Sequence, residues 1–575
     1  MSKYIKRFEL TSKYEEYINS DIALLPNVSL TNDNNIVHYN PKVPNYLKFT
    51  AEEDNSTISL NSVTSPDIKY SLNGGEWTQW DYSAITLNTG DTVRMKGNNS
   101  NGFSTSNSSY NQFQMTGKIG ASGNIMSLLY DDDFEGKLTI PCNWCFCNMF
   151  FYCRSLTTAP ELPATTLTNN CYDSMFQNCK SLTDAPELPA TTLASYCYSY
   201  MFRDCTSLTN APELPATTLA NNCYEYMFRS CNLLTVAPKL PATTLADRCY
   251  SGMFSGCTSL TNAPELPATT LAVSCYYEMF NSTSLTTAPE LPATTLVDNC
   301  YESMFIGCQS LTNAPELPVT TLTESCYSSM FNGCTSLVNA PELPATTLAN
   351  HCYQGMFESC TSLTNAPELP ATTLANYCYY WMFEGCVVLT NAPELPATTL
   401  ASGCYDHMFN NCTSLTTAPL VLPATTLVPC CYQSMFDWCT SLTVAPKLPA
   451  TTLANDCYSS MFSGCTSLAN APELPATTLT ERCYNGMFSG CTSLVNAPEL
   501  PATMLENYCY SSMFYGCTEL NYIKMLATNI YATNCLYSWM DGVSSTGTFV
   551  KDPNMTSLPT GASGIPNGWT VQDAV

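Results

Sequence analysis

Cysteine and glutamate recur along this chain at fixed intervals, and each can do chemistry: a thiolate as nucleophile, metal ligand or crosslink, a carboxylate as cation ligand or acid–base catalyst. Sixteen of the 33 cysteines, from Cys145 through Cys171 and Cys197 to Cys535, form one column of a repeat. Fourteen more, from Cys153 to Cys517, follow eight residues later, and Cys142, Cys147 and Cys430 fall outside both columns. If the intervening segment is helical, the two columns lie about 12 Å apart, beyond the roughly 7 Å that a disulfide can bridge. They read as reduced, buried thiols used as small apolar side chains, with crosslinks between neighbouring copies as the alternative.

The only histidines are His38, His351 and His407. His351 beside Cys352 suggests an activated thiol, yet Cys352 belongs to a core-facing column. Cys142-x-x-Cys145-x-Cys147 invites a metal or redox reading, but Cys145 is itself a column residue and no second pair has metal-site spacing. No catalytic residue, metal site or cofactor is expected.

Two patterns remain as candidates for binding. One is the column of glutamates between paired prolines, among them Glu187, Glu213, Glu265, Glu290, Glu316, Glu342, Glu368 and Glu394, with Lys239 and Lys447 replacing glutamate twice. Like charges 5 Å apart repel by roughly 0.8 kcal/mol in water and about 3 kcal/mol at an effective dielectric of 20, so the column must be solvated, splayed or neutralised by cations. It reads as a solvated acidic edge, or else as a repetitive site for cations or a polymer. The other pattern is a set of aromatic residues at positions that vary from copy to copy: Tyr226, Tyr277, Tyr380, Trp381, Trp438 and Tyr515. Drift on an unconstrained surface explains variation, but exposed tyrosine and tryptophan also carry binding energy at interfaces.

What positions these residues is a repeat of about 26 residues running from about Cys145 to Cys535. A unit that short cannot bury its own apolar face, so the copies must stack into a solenoid. Within Cys-Tyr-x-x-Met-Phe-x-x-Cys the apolar residues fall on one arc of about 140° at helical spacing, which predicts an amphipathic helix. Pro186 and Pro189 exclude a long strand in the other half, leaving a short parallel strand around Leu182 to Ala185 and then an extended segment.

Residues 1–44 read as an attachment module, with a capping box at Ser12 and Glu15 and a hairpin around Asn32 to Asn35. Residues 45–118 carry short β-type runs with a turn signal every ten residues or so, which predicts a small immunoglobulin-like sandwich. The solenoid then spans 119–543, and 544–575, with scattered proline and glycine, reads as an irregular cap.

A formal charge of −26 argues against nucleic acid as partner. No apolar run approaches the roughly 20 residues of a membrane span, so membrane insertion is not expected. The first twenty residues lack the pattern of a secretory signal.

The phrase Met-Phe-Ser-Gly-Cys-Thr-Ser-Leu, at 253–260, 461–468 and 487–494, resembles the coils of BspA-type leucine-rich-repeat surface proteins. The resemblance implies an α/β repeat fold, a leucine-rich-repeat solenoid of short parallel strands plus helices, here preceded by the sandwich and an N-terminal α+β module. The layout, including Leu25-Pro-Asn-Val-Ser, His38-Tyr-Asn-Pro and the Gly564-Ile-Pro-Asn-Gly-Trp ending, is similar to proteins of gut Bacteroidales and their phages. It implies a non-enzymatic, receptor-binding virion component of tail or head fibre type that recognises a host surface protein or glycan. Residues 1–44 would then hold it to other virion or surface-assembly proteins. The alternative is a bacterial cell-surface or secreted adhesin.

Overall fold

The computed structural model describes residues 44–575 apart from residue 557, and the backbone of β1 (Val28–Leu30) and β2 (Val37–Tyr39). These two strands pair antiparallel with Ser29 opposite His38, and the turn expected at Asn32 to Asn35 lies outside the described residues. The expected helix start at Ser12 and Glu15 lies outside the described residues.

Two antiparallel sheets follow. β3 (Leu47–Ala51), β5 (Lys69–Leu72), β6 (Thr78–Gln79), β8 (Thr92–Lys96) and β10 (Ile119–Ser122) make one, in the order β10-β3-β8-β5-β6. β4 (Ser56–Asn61), β7 (Ile85–Leu87) and β9 (Gln112–Thr116) make the other, in the order β7-β4-β9. Alternation along β3 buries Leu47, Phe49 and Ala51, and Phe49 meets Phe113 of the facing sheet at 5.2 Å between ring centroids. The first sheet continues to Ser122, past the boundary expected at 118, because Ile119 and Ala121 are buried and pair with Ala51 and Phe49. The sheets also close one end of the solenoid. Phe113 stacks on Phe150 of the first coil at 5.5 Å, and Ile119 bridges to Leu156.

The repeat departs from expectation in one respect that matters for function. Cys-Tyr-x-x-Met-Phe-x-x-Cys is not a helix; α1 (Ser127–Tyr130) is the only α-helix among the described residues. Instead the segment is a run of overlapping β-turns. Cys171, Asp173, Met175, Gln177 and Cys179 each donate their N–H three residues back within the coil. The residues between them, Asn170, Tyr172, Ser174, Phe176 and Asn178, donate to Ser195, Cys197, Ser199, Met201 and Arg203 of the next coil. An α-helix would direct its N–H groups four residues back and leave none for the neighbouring coil. Splitting them satisfies the backbone and locks adjacent coils in register.

Alternate turns have a left-handed residue at their third position, at Asn170 (φ 58°), Ser174 (φ 55°) and Asn178 (φ 65°) in this coil and at the same columns in its neighbours. The period is thus four residues rather than 3.6. Two side chains point in and two point out, so Cys171, Tyr172, Met175, Phe176 and Cys179 are all buried, the set that the helical arc also selects.

The core is built from columns of like residues. Phe150 and Phe176 stand 5.4 Å apart and within 7° of parallel, and the column runs on to Phe488 and Phe514 at 5.8 Å. The tyrosine column repeats at 5.9 Å between Tyr172 and Tyr198. All 33 cysteines are free thiols, and those of the second column from Cys179 onward donate to a carbonyl of the preceding coil, as Cys179 does to Phe150 at 3.1 Å.

Where a short strand was expected near Leu182 to Ala185, neighbouring coils share only isolated parallel bridges, Asp184 to Asn210 and Thr192 to Thr218. Pro186 and Pro189 remove the donors that would extend them. At the C-terminal end the prolines are lost and a continuous parallel sheet appears: β11 (Asn496–Leu500), β12 (Tyr522–Met525), β13 (Thr548–Lys551) and β14 (Thr570–Asp573). β11 still contains Pro498, and its register slips between Asn496 and Glu499. The terminal cap is therefore regular rather than irregular, with Trp539 fully buried against Phe514 and Phe549.

Candidate recognition surface

Each coil offers two outward sides. The turn side, here called the ledge, carries the pairs of side chains that the four-residue period directs outward. The proline side, here called the edge, carries the glutamates.

On the edge, Glu187, Glu213, Glu265, Glu290, Glu316, Glu342, Glu368 and Glu394 are all exposed, as like charges stacked coil on coil require. Between successive coils lie shallow clefts of about 310 to 490 Å³, such as the one bounded by Pro160, Glu161, Pro163, Pro186 and Glu187. Among the described residues, no lysine or arginine side chain pairs with a glutamate of this column before Glu499, which meets Lys524 at 3.1 Å.

On the ledge, the structure separates the six aromatic candidates. Tyr226 is engaged within the chain: its hydroxyl donates to Glu278 two coils on at 3.3 Å, and its ring covers the backbone of Gly252, where a Cβ would lie 2.0 Å from it. Burial pushes its phenol up to about 12, and the Glu278 carboxylate adds to this. Tyr277 is half-buried beside the same glutamate. Trp438 and Tyr515 stand apart, 57% and 49% exposed.

Tyr380 and Trp381 alone fall into a larger cluster. Their rings lie 4.2 Å apart, Tyr377 meets Tyr380 at 5.7 Å, and His407 approaches both Tyr380 and Trp381 at 6.2 Å. His351 stacks on Tyr377 at 5.2 Å and 8°. Five rings from three consecutive coils thus form one patch. The sequence carried the signal for the three added members: His351 and Tyr377 are 26 residues apart, as are Trp381 and His407, which is one repeat.

Four of these five residues, His351, Tyr377, Trp381 and His407, have φ between 53° and 57°. Glycine, asparagine or serine fills the column of Trp381 and His407 in most other coils, as at Gly355 and Ser329, and the column of His351 and Tyr377 in half of them, as at Asn299. A bulky residue in this conformation costs on the order of 1 kcal/mol or more. The patch therefore holds four residues that bear this strain.

Carboxylates surround the patch. Asp406 is buried and takes the His407 Nδ1 at 2.6 Å. Burial opposes a charge on His407, but the Asp406 hydrogen bond together with Glu384 and Asp437 raises its pKa overall. Burial raises the acids themselves, Glu358, Glu384, Asp406 and Asp437. His351 places its Nδ1 2.6 Å from Gln354, while the neighbouring Cys352 thiol is fully buried and pushed up by desolvation. The pair has no geometry for nucleophilic attack. No helix among the described residues is long and apolar enough to cross a membrane.

The family of BspA type leucine rich repeat regions matches at residues 146–261, 225–356, 273–416, 330–443 and 405–541, well over half of the chain. The chain belongs to this family. Among solved structures, it is similar to a leucine-rich repeat protein from Bacteroides ovatus at 17% identity and a TM-score of 0.40, over 68% of this chain and 92% of that one. A leucine-rich repeat protein from Eubacterium ventriosum matches at 12% identity and a TM-score of 0.22, over 79% of this chain and 94% of that one. No curated protein matches.

Proposed function

We propose that this BspA-type repeat protein is a non-enzymatic adhesion protein that presents the ledge of its solenoid to a host surface, as a fibre-type component of a phage virion held to its assembly through residues 1–44. The observation that carries the adhesion reading is the aromatic patch of His351, Tyr377, Tyr380, Trp381 and His407. A stacked array offers a long, rigid, repeated surface, and five rings gather on it here, four of them at a conformational cost that smaller residues avoid. Clustered aromatic side chains on a rigid frame are what binding hot spots are made of.

The adhesion reading is tested by incubating the labelled full chain with candidate host bacteria: saturable binding is expected, and its absence from every surface tried would count against it. The virion placement is tested separately, by mass spectrometry of purified phage particles. Recovery of peptides from the solenoid is expected, and their absence there removes the phage component of the proposal.

A further inference from the structure

The chain itself shows what sits on a ledge ring. Arg203 lies over Tyr200 with its guanidinium carbon 5.5 Å from the ring centroid, and Arg229 lies over Tyr226 at 5.0 Å. In each pair the arginine is three residues after the tyrosine and is joined to it by the same turn hydrogen bond, Arg203 N–H to the Tyr200 carbonyl and Arg229 N–H to that of Tyr226. Arg482 covers Tyr508 of the next coil at 5.2 Å. A ring face attracts a cation through its quadrupole, so these pairs are mutually stabilising.

The aromatic patch has the same backbone without the cation. Trp381 occupies the column of Tyr200 and Tyr226, and Glu384 donates its N–H to the Trp381 carbonyl at 3.1 Å, as the arginines do. The side chain in the arginine's place is thus a carboxylate. Glu358 stands in the same column one coil earlier and Asp437 two coils later, with its Oδ1 buried and unpartnered.

Among the described residues, no lysine or arginine of the neighbouring coils supplies the missing charge. Between Arg248 and Lys447 there is no lysine or arginine, while fourteen aspartates and glutamates lie in that span. Its only imidazoles, His351 and His407, both belong to the patch, and the His407 Nδ1 is already held by Asp406.

We infer that the patch formed by Tyr380, Trp381, Glu384 and Glu358 is a receptor for arginine or lysine side chains, borne by a basic segment of a partner protein. The incoming cation takes the position over Trp381 that Arg229 takes over Tyr226, and Glu384 neutralises it from the side. This rests on the adhesion reading and names the chemistry of what is bound. Cation–ring contacts give the site its specificity, and the unrelieved acidic field of the surrounding coils speeds encounter and makes binding salt-dependent.

The test is fluorescence anisotropy of the full chain with a fluorescein-labelled nona-arginine peptide, at low and physiological salt. Saturable binding that weakens with salt is expected, and Trp381→Ser and Glu384→Gln should each weaken it at least tenfold. Serine occurs naturally in the Trp381 column, at Ser303 and Ser329, so the first variant retains the fold. Glu384→Arg rebuilds the internal pair of Tyr226 and Arg229 and should abolish peptide binding, while Glu368→Gln, the same charge change as Glu384→Gln but on the edge, should alter it less than twofold. An equal loss in Glu368→Gln would show that the acidic field alone attracts the peptide and would overturn the site. So would a neutral mannan or dextran that binds in place of the peptide and is lost in Trp381→Ser, which would make the patch a sugar platform. If Glu384→Arg loses the peptide yet still adheres to cells, the cationic ligand is wrong while the adhesion reading stands.

Discussion

Ledge and edge are two sides of the same coil, built by opposite means. On the ledge the backbone satisfies itself, half its N–H groups within the coil and half to the next coil. The outward side chains are not needed to satisfy the backbone, and they vary. On the edge the prolines withhold donors and the coils share only isolated bridges, so the constant side chains do the structural work. The last coils make the contrast sharper: without the prolines, Tyr522–Met525 and Thr548–Lys551 pair residue by residue as continuous strands. A side that hydrogen-bonds through its own backbone is free to change its surface, and recognition is expected there.

The largest effect on stability should come from obstructing the left-handed positions of the ledge. Gly490 has φ 76°, and a Cβ there would contact Gly464 at 3.6 Å. Gly490→Val should destabilise by about 2 kcal/mol or more, seen as a lower urea midpoint. Pro341→Ala on the edge should cost less than about 1 kcal/mol, the entropy that a proline removes from the unfolded chain. Equal losses would mean that the two sides share the structural load.

A smaller effect of opposite sign is expected at Trp438, an isolated, exposed residue with φ 58°. Trp438→Gly restores the residue that stands in this column at Gly385 and Gly464, and should stabilise by about 1 kcal/mol. An unchanged or lowered urea midpoint would show that the indole's packing over Gly464 outweighs the strain.

The third expectation concerns pH. Burial pushes Asp173 on the ledge up to about 6 and raises Glu225, Glu302, Glu358, Glu384, Asp406 and Asp437. Such groups hold their protons more tightly folded than unfolded, so their contribution is full below the unfolded value near 4 and is lost as pH rises through the folded value. His407, also raised, acts in the same direction. In the sandwich, hydrogen bonds from Thr89, Ser83 and Asn88 hold Asp54, Asp81 and Asp91 low, which stabilises above the unfolded value and is lost as pH falls through the folded one. Between pH 7 and pH 5 the ledge coils should gain protection in segment-resolved hydrogen exchange, corrected for intrinsic rates, while the sandwich holds steady. A parallel shift in both would contradict the contrast.

The repeat, its buried columns and its proline side were legible in the sequence, because each leaves one residue type at one position in copy after copy. The turn ladder reads as a helix in the sequence for a specific reason. Apolar residues at 0, 1, 4, 5 and 8 fit a period of 3.6 or of 4 equally well over two turns. What separates the periods is the row of glycine, asparagine and serine at every fourth outward position, such as Asn170, Ser174 and Asn178, residues that tolerate positive φ. Tyr380 and Trp381 could be picked out as exposed aromatics, but their cluster could not be assembled. His407 touches them from the next coil and His351 stacks on Tyr377 from the preceding one, and those contacts depend on the four-residue period.

The central claim is that the ledge, and not the edge, recognises the host surface. It is tested most directly by comparing two double variants of the full chain in the same cell-binding assay, Tyr380→Ser with Trp381→Ser against Glu342→Gln with Glu368→Gln. The ledge pair should lose at least tenfold in apparent affinity while the edge pair stays within twofold of the unaltered chain. Retained binding in the ledge pair, with loss in the edge pair, would contradict it.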